Sequence, residues 1–147
     1  SVVSKTLRSV VADANVLLSA SLGYAARKVF EKARVFHVIT TDVAAGEVRE
    51  YLPVLAAKAG LDRAPIIRVF DALPIEIVPE SGYRTRLRDA ASLIGKRDPD
   101  DTTVLALALK RGLPVWSNDD DFDDAGVLVF TTAELLKVLG FSSARRR

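Results

Sequence analysis

The spacing of apolar residues along this chain switches repeatedly between two periods. Short β-branched and apolar runs at 8–13, 35–40, 75–78, 114–117 and 127–130 read as strands. Between them apolar residues recur every three to four positions, which predicts helices over 24–33, 42–59, 63–72, 82–95, 99–111 and 132–139. Strands alternating with longer amphipathic helices are the pattern of an α/β fold built on a parallel sheet. No repeat, linker or low-complexity tract divides the chain, so one domain over 1–147 is expected, with 142–147 as a disordered basic tail.

Composition narrows the chemistry. At 147 residues and 49% hydrophobic content the chain can bury one substantial core. Cysteine is absent and His37 is the only histidine, so disulfides, thiolate catalysis, thiolate zinc sites and multi-histidine sites are excluded. Any metal must be held by oxygen. No apolar run approaches the roughly 20 residues of a membrane span, and no secretory signal is evident, so a soluble cytoplasmic protein is expected. The net charge of +2 is unevenly spread, because Asp98 to Asp124 holds eight aspartates against Lys110 and Arg111. That stretch carries −6 and the remainder +8, which suits either an acidic site on a basic body or simply a solvated acidic face.

The acids fall at telling places. In Val10-Val11-Ala12-Asp13-Ala14-Asn15 an apolar strand runs into Asp13, which would stand at a strand's C-terminal end, where open α/β sheets bind ligands, or would merely cap the next element. Glu47 falls in an apolar stripe of Val43, Ala44, Val48, Tyr51, Leu52 and Leu55, whereas Glu50 falls opposite with Gly46 and Pro53. An inward carboxylate either pairs with a core-edge arginine or ligates a cation. In Arg97-Asp98-Pro99-Asp100-Asp101, helix capping and dipole complementarity account for Asp98 and Asp100, while Asp101 leads the inward stripe of Val104, Leu105, Ala108 and Leu109. The buried run Leu113 to Ser117 opens into Asp119, Asp120, Asp121 and Asp123, which do not match the EF-hand pattern. Asp13, Glu47, Asp101 and Asp119 can therefore converge at one sheet edge as hard oxygen ligands, a set that selects Mg²⁺ or Mn²⁺ and would support phosphodiester hydrolysis.

With those pieces in place the chain resembles the PIN-domain family, and within it the VapC-type toxin ribonucleases. The resemblance rests on VVADANVLL (10–18), AAGEV (44–48), RDPDDTTVLALAL (97–109) and LPVWSNDDDF (113–122). It implies a three-layer α/β/α fold with a five-stranded parallel sheet and Mg²⁺- or Mn²⁺-dependent endoribonuclease activity. It also places Asp13, Glu47, Asp101 and Asp119 on the family's acidic positions, with Asp98 or Asp100 as alternatives for the third. Asn15, Asp98, Ser117, Asp121 and Asp123 are accessory candidates. A homodimer and a small antitoxin partner follow from the resemblance alone. The RNA substrate would need cations, for which Arg84, Arg88, Lys96 and Arg97 are the leading candidates and Arg27 and Lys28 further ones. Arg84 and Arg88 would share a helix face, and His37 and Trp116 read as packed residues. Competing readings are a non-toxin RNA-processing PIN protein, an inactive PIN scaffold, and a haloacid-dehalogenase-like phosphatase, the last of which lacks its second aspartate because position 15 is Asn.

Overall fold

The computed structural model describes residues 7–94 and 99–141. Lys96, Arg97 and Asp98 lie outside the described residues, as does the tail expected at 142–147. The strands are β1 (Ser9–Ala12), β2 (His37–Thr41), β3 (Ile75–Val78), β4 (Val115–Trp116) and β5 (Val129–Phe130). The helices are α1 (Ala14–Ser21), α2 (Asp42–Lys58), α3 (Arg63–Ala72), α4 (Leu87–Ile94), α5 (Pro99–Arg111) and α6 (Thr132–Val138). Every strand pairing is parallel, in the order β3-β2-β1-β4-β5. Parallel neighbours require crossovers, and the helices supply them, giving the expected three-layer α/β/α arrangement.

The core runs through the central strands, where Val10, Val11, Val38, Ile39, Val115 and Trp116 are all buried. From Val104 to Ala108, α5 is buried on every side, and α2 contributes Ala44, Ala45, Val48, Leu52 and Ala56. Trp116 packs as expected, and its indole N–H donates to Thr132 Oγ1 at 3.0 Å.

Several elements depart from the sequence pattern. The pattern shows no helix at 14–21, yet α1 forms there: Ala14, Val16, Leu17, Leu18, Ala20 and Ser21 are all buried, and Asn15 and Ser19 alone make a polar face too narrow to reveal a period. Residues Ala25–Lys32 are helical but wound as a 3-10 helix, tied back by Arg27, whose guanidinium donates to the Ala20 and Ser21 carbonyls. The helix expected at 82–95 is shorter: 3-10 turns at Glu80–Gly82 and Arg84–Arg86 precede α4. The interruption is Tyr83, which has φ −144° and a buried ring whose hydroxyl donates to Asp42 Oδ1. Arg84 and Arg88 consequently do not share one helix face. His37, expected to pack, is exposed at the start of β2. On α2 the buried stripe is rotated from the expected one, so that Val43 and Tyr51 are 38% and 47% exposed while Ala45 and Ala56 face inwards. Alanines weigh little in a hydrophobic pattern but allow close packing between helices.

Candidate metal centre

After β1 the chain builds β2 and β3 on one side, then returns to place β4 and β5 on the other. The C-terminal ends of β1 and β4 therefore flank the point where strand order reverses, the crevice in which open α/β sheets bind ligands. Asp13 follows β1 directly, and its N–H donates to the Trp116 carbonyl at 3.2 Å, stitching it to the end of β4. Its side chain is also the N-cap of α1, with Oδ1 accepting the Val16 N–H at 3.0 Å. Both sequence readings of Asp13, cap and strand-end acid, therefore apply to one residue. The other oxygen, Oδ2, is buried and has no hydrogen-bond partner.

Asp13, Ala14, Asn15, Glu47, Asp100, Asp101 and Asp121 line a cavity of about 50 Å³. Space of that size admits a water molecule or a small ion. Asp101, in the first turn of α5, is only 9% exposed, whereas Glu47 on α2 and Asp100 are half-buried. Beyond β4, Ser117 is buried and its Oγ accepts the Asp119 N–H at 3.3 Å, and Asp119 Oδ1 accepts the Asp121 N–H at 3.0 Å. These turns fold the acidic loop back over the strand end. Asn118, which sequence reasoning passed over, anchors that loop by accepting the Thr132 N–H at 2.7 Å.

Carboxyl groups this close and this buried resist ionisation. Burial raises Asp13 from 3.8 to about 6, with the Ser117 hydroxyl and the Val16 N–H pulling the other way and the Asp119 charge adding to the rise. Asp101 is raised to about 8, first by burial, then by a hydrogen bond with Asp121 and repulsion from Asp121, Asp119 and Asp13. Asp100 is raised by burial. The hydrogen bond between the Asp101 and Asp121 carboxyls needs a proton, which the raised Asp101 holds in the absence of a cation. Among the described residues, no three Asp, Glu or His side chains already close on a common point. The donors are hard oxygens throughout, and the unpartnered Asp13 Oδ2 offers a lone pair, so the residues fit a hard dication.

A sequence profile described as PIN domain matches residues 11–140. The chain belongs to the PIN-domain family. A crystal structure of VapBC2 from Rickettsia felis, bound to a DNA fragment from their promoter, matches this PIN domain with a TM-score of 0.62. The match covers 84% of this chain and 98% of that one at 14% identity, and so speaks to the fold. FitAcB from Neisseria gonorrhoeae matches over the same shares at 22% identity with a TM-score of 0.48. No curated protein gives a match.

Within this PIN domain the sequence-predicted residues separate cleanly. Asp13, Asn15, Glu47, Asp100, Asp101 and Asp121 face one cavity, and Asp119 interacts electrostatically with Asp13 and Asp101 from beside it. Asp123 is exposed and lines an adjoining groove with Asn118, Asp119, Asp120 and Glu134. Among the cation candidates, Arg88 is exposed on α4, while Arg84 pairs with Glu80 at 3.2 Å. Lys28 stands 5.4 Å from the Phe141 ring centroid, in cation–π range.

Proposed function

We propose that this PIN domain is a Mg²⁺- or Mn²⁺-dependent endoribonuclease and the toxin of a toxin–antitoxin pair, cytoplasmic, homodimeric and restrained by a small antitoxin protein. The observation that carries the reading is the buried Asp13 with an unpartnered oxygen, set among carboxyls gathered from β1, α2, α5 and the loop after β4. A fold has no need to bury such a cluster at its ligand-binding edge unless something positive joins it. Asp13, Glu47, Asp101 and Asp119 would hold the cation. Asp101 is preferred to Asp100 because its residue is the more buried and its carboxyl is repelled by Asp121, Asp119 and Asp13.

Held there, a dication would supply charge neutralisation at the phosphodiester and would make nearby water more acidic. The chain's own part is to deliver carboxylates to that ion: Ser117 steadies the Asp119 backbone, Asp119 steadies Asp121, and Asn15 lines the approach. Arg88, Arg84, Lys96 and Arg97 would support RNA phosphates. The toxin assignment draws on PIN membership and on the fold shared with VapBC2.

The test is cleavage of a mixed RNA substrate by wild type and by Asp13→Asn, with Mn²⁺ and with a chelator. Wild type should cut only with the metal, and the variant should lose at least two orders of magnitude, by analogy with removal of a metal-supporting group. Equal cutting by both proteins, or cutting that survives chelation, would reject the nuclease reading.

A further inference from the structure

The proposed cation ligands stand in or beside the cavity on two kinds of support. Asp13 and Asp119 follow β1 and β4, whose spacing is set by backbone pairing at Val11–Val115 and Ala12–Trp116. Glu47 and Asp101 stand on α2 and α5, and no backbone ladder joins two helices. A pair of hydroxyls does: Thr41 Oγ1 and Thr103 Oγ1 are 2.8 Å apart, and both residues are buried.

The direction of that contact follows from donor counting. Thr103 donates its hydroxyl proton to the Asp100 carbonyl at 3.0 Å, and a carbonyl can only accept. A hydroxyl has one proton, so the proton between the threonines comes from Thr41. Thr41 Oγ1 accepts the Ala44 N–H at 3.0 Å as the N-cap of α2. One directed chain therefore runs from Ala44 N–H through Thr41 and Thr103 to the Asp100 carbonyl, the peptide group that leads into Asp101. It joins the first turn of the helix bearing Glu47 to the first turn of the helix bearing Asp101. Capping of α2 and back-bonding within α5 would each be complete without the contact between them. Valine at 103 would fill nearly the same space and bring in no polar atom, leaving the Thr41 hydroxyl proton without this acceptor.

We propose that Thr41 and Thr103 are positioning residues that set the separation of Glu47 from Asp101 across the cation seat, a role that rests on the metal-dependent reading above. Hard-cation ligation by Mg²⁺ tolerates little error around roughly 2.0–2.1 Å, so a small slide of α5 along α2 would loosen binding without unfolding the domain. Strand pairing leaves the Asp13–Asp119 half indifferent to the same change.

The experiment is calorimetric titration of the full chain with Mn²⁺ for wild type, Thr103→Val and Thr103→Ser, together with the unfolding temperature of each. Thr103→Val should remain folded and bind Mn²⁺ on the order of tenfold more weakly, the usual cost of losing a group that orients a ligand. Thr103→Ser, which keeps the hydroxyl, should restore affinity. Wild-type Mn²⁺ affinity in Thr103→Val, with or without a lower unfolding temperature, would make the pair merely structural and overturn the proposal. Should Thr103→Val not fold, Thr103→Ala is titrated in its place by the same criterion. A wild type that binds no Mn²⁺ brings down the nuclease reading and this proposal with it, whereas metal binding unaltered by the variants removes this proposal alone.

Discussion

Asp13 serves two structural demands that conflict. One oxygen caps α1, which favours the charged form, and the other is buried without a partner, which penalises it. Its carboxyl is raised from 3.8 to about 6, so the folded state holds the proton more tightly than the unfolded chain. By linkage the associated stability is fully present below 3.8 and is lost as pH rises through about 6, a difference of about 3 kcal/mol as an order of magnitude. Asp101, raised to about 8, acts with the same sign over a higher range. Metal-free protein should therefore lose stability as pH is raised from about 5 to about 8, in urea titrations run with a chelator. A curve rising with pH over that interval would mean the cluster is not buried as described. Glu76 opposes this only at lower pH, because Arg111 holds its carboxyl below 4.5, and its contribution is lost as pH falls further. The same reasoning makes Asp13→Asn informative: it keeps an oxygen for the α1 cap but removes the buried charge. Above about pH 6, where Asp13 would be charged, it should raise metal-free stability by about 1–3 kcal/mol while cutting cleavage at least about a hundredfold, a pairing of effects that simple misfolding cannot produce.

Helix α2 owes its placement to its first turn. Thr41 is held by Thr103, and the next residue, Asp42, accepts the hydroxyl of the buried Tyr83. Burial and the Asp42 contact both push the Tyr83 phenol up, so it stays a proton donor at any working pH. Removing that hydroxyl in Tyr83→Phe should cost about 1–2 kcal/mol in urea unfolding, and a change within error would deny the contact any role. Gly82 is needed for the same clamp, since a Cβ there would run into Val78 Cγ1 on β3. Gly82→Ala should destabilise by about 1–3 kcal/mol, the typical cost of overpacking, and thermal unfolding would show whether Val78 can yield instead.

Across the whole molecule, the acidic stretch is concentrated at the switch point of the sheet while the rest of the chain is basic. That separation would suit the proposed RNA substrate, which would approach through cationic surface and meet carboxylates only where a metal neutralised them. The Arg84–Glu80 pair is exposed at both ends and so contributes little to stability, leaving Arg84 able to exchange partners. If Arg88 contacts an RNA phosphate, Arg88→Ala should weaken binding of every sequence alike. It should also flatten the slope of log affinity against log salt by about 1. An unchanged slope would remove Arg88 from the interface.

Much of this architecture was legible in the one-dimensional pattern, because strand and helix periods are local properties. The five strands were placed to within about two residues, and α2 and α5 carried recognisable stripes or caps. The residue types at strand ends also limited the chemistry to hard oxygen ligands, since the chain has no cysteine and one histidine. Local pattern failed where burial was nearly uniform or where small residues faced the core: α1 shows only Asn15 and Ser19 outside its buried surface, and Ala45 and Ala56 turned α2 away from the stripe drawn through Val43 and Tyr51. Only tertiary structure decided that Asp101 and Asp121 share a hydrogen bond, that Asp123 faces a different groove, and that Thr41 meets Thr103 across 62 positions of chain. Sequence determines which groups are available and which face of an element they occupy. Their distances, and hence their protonation, are set by how the elements pack.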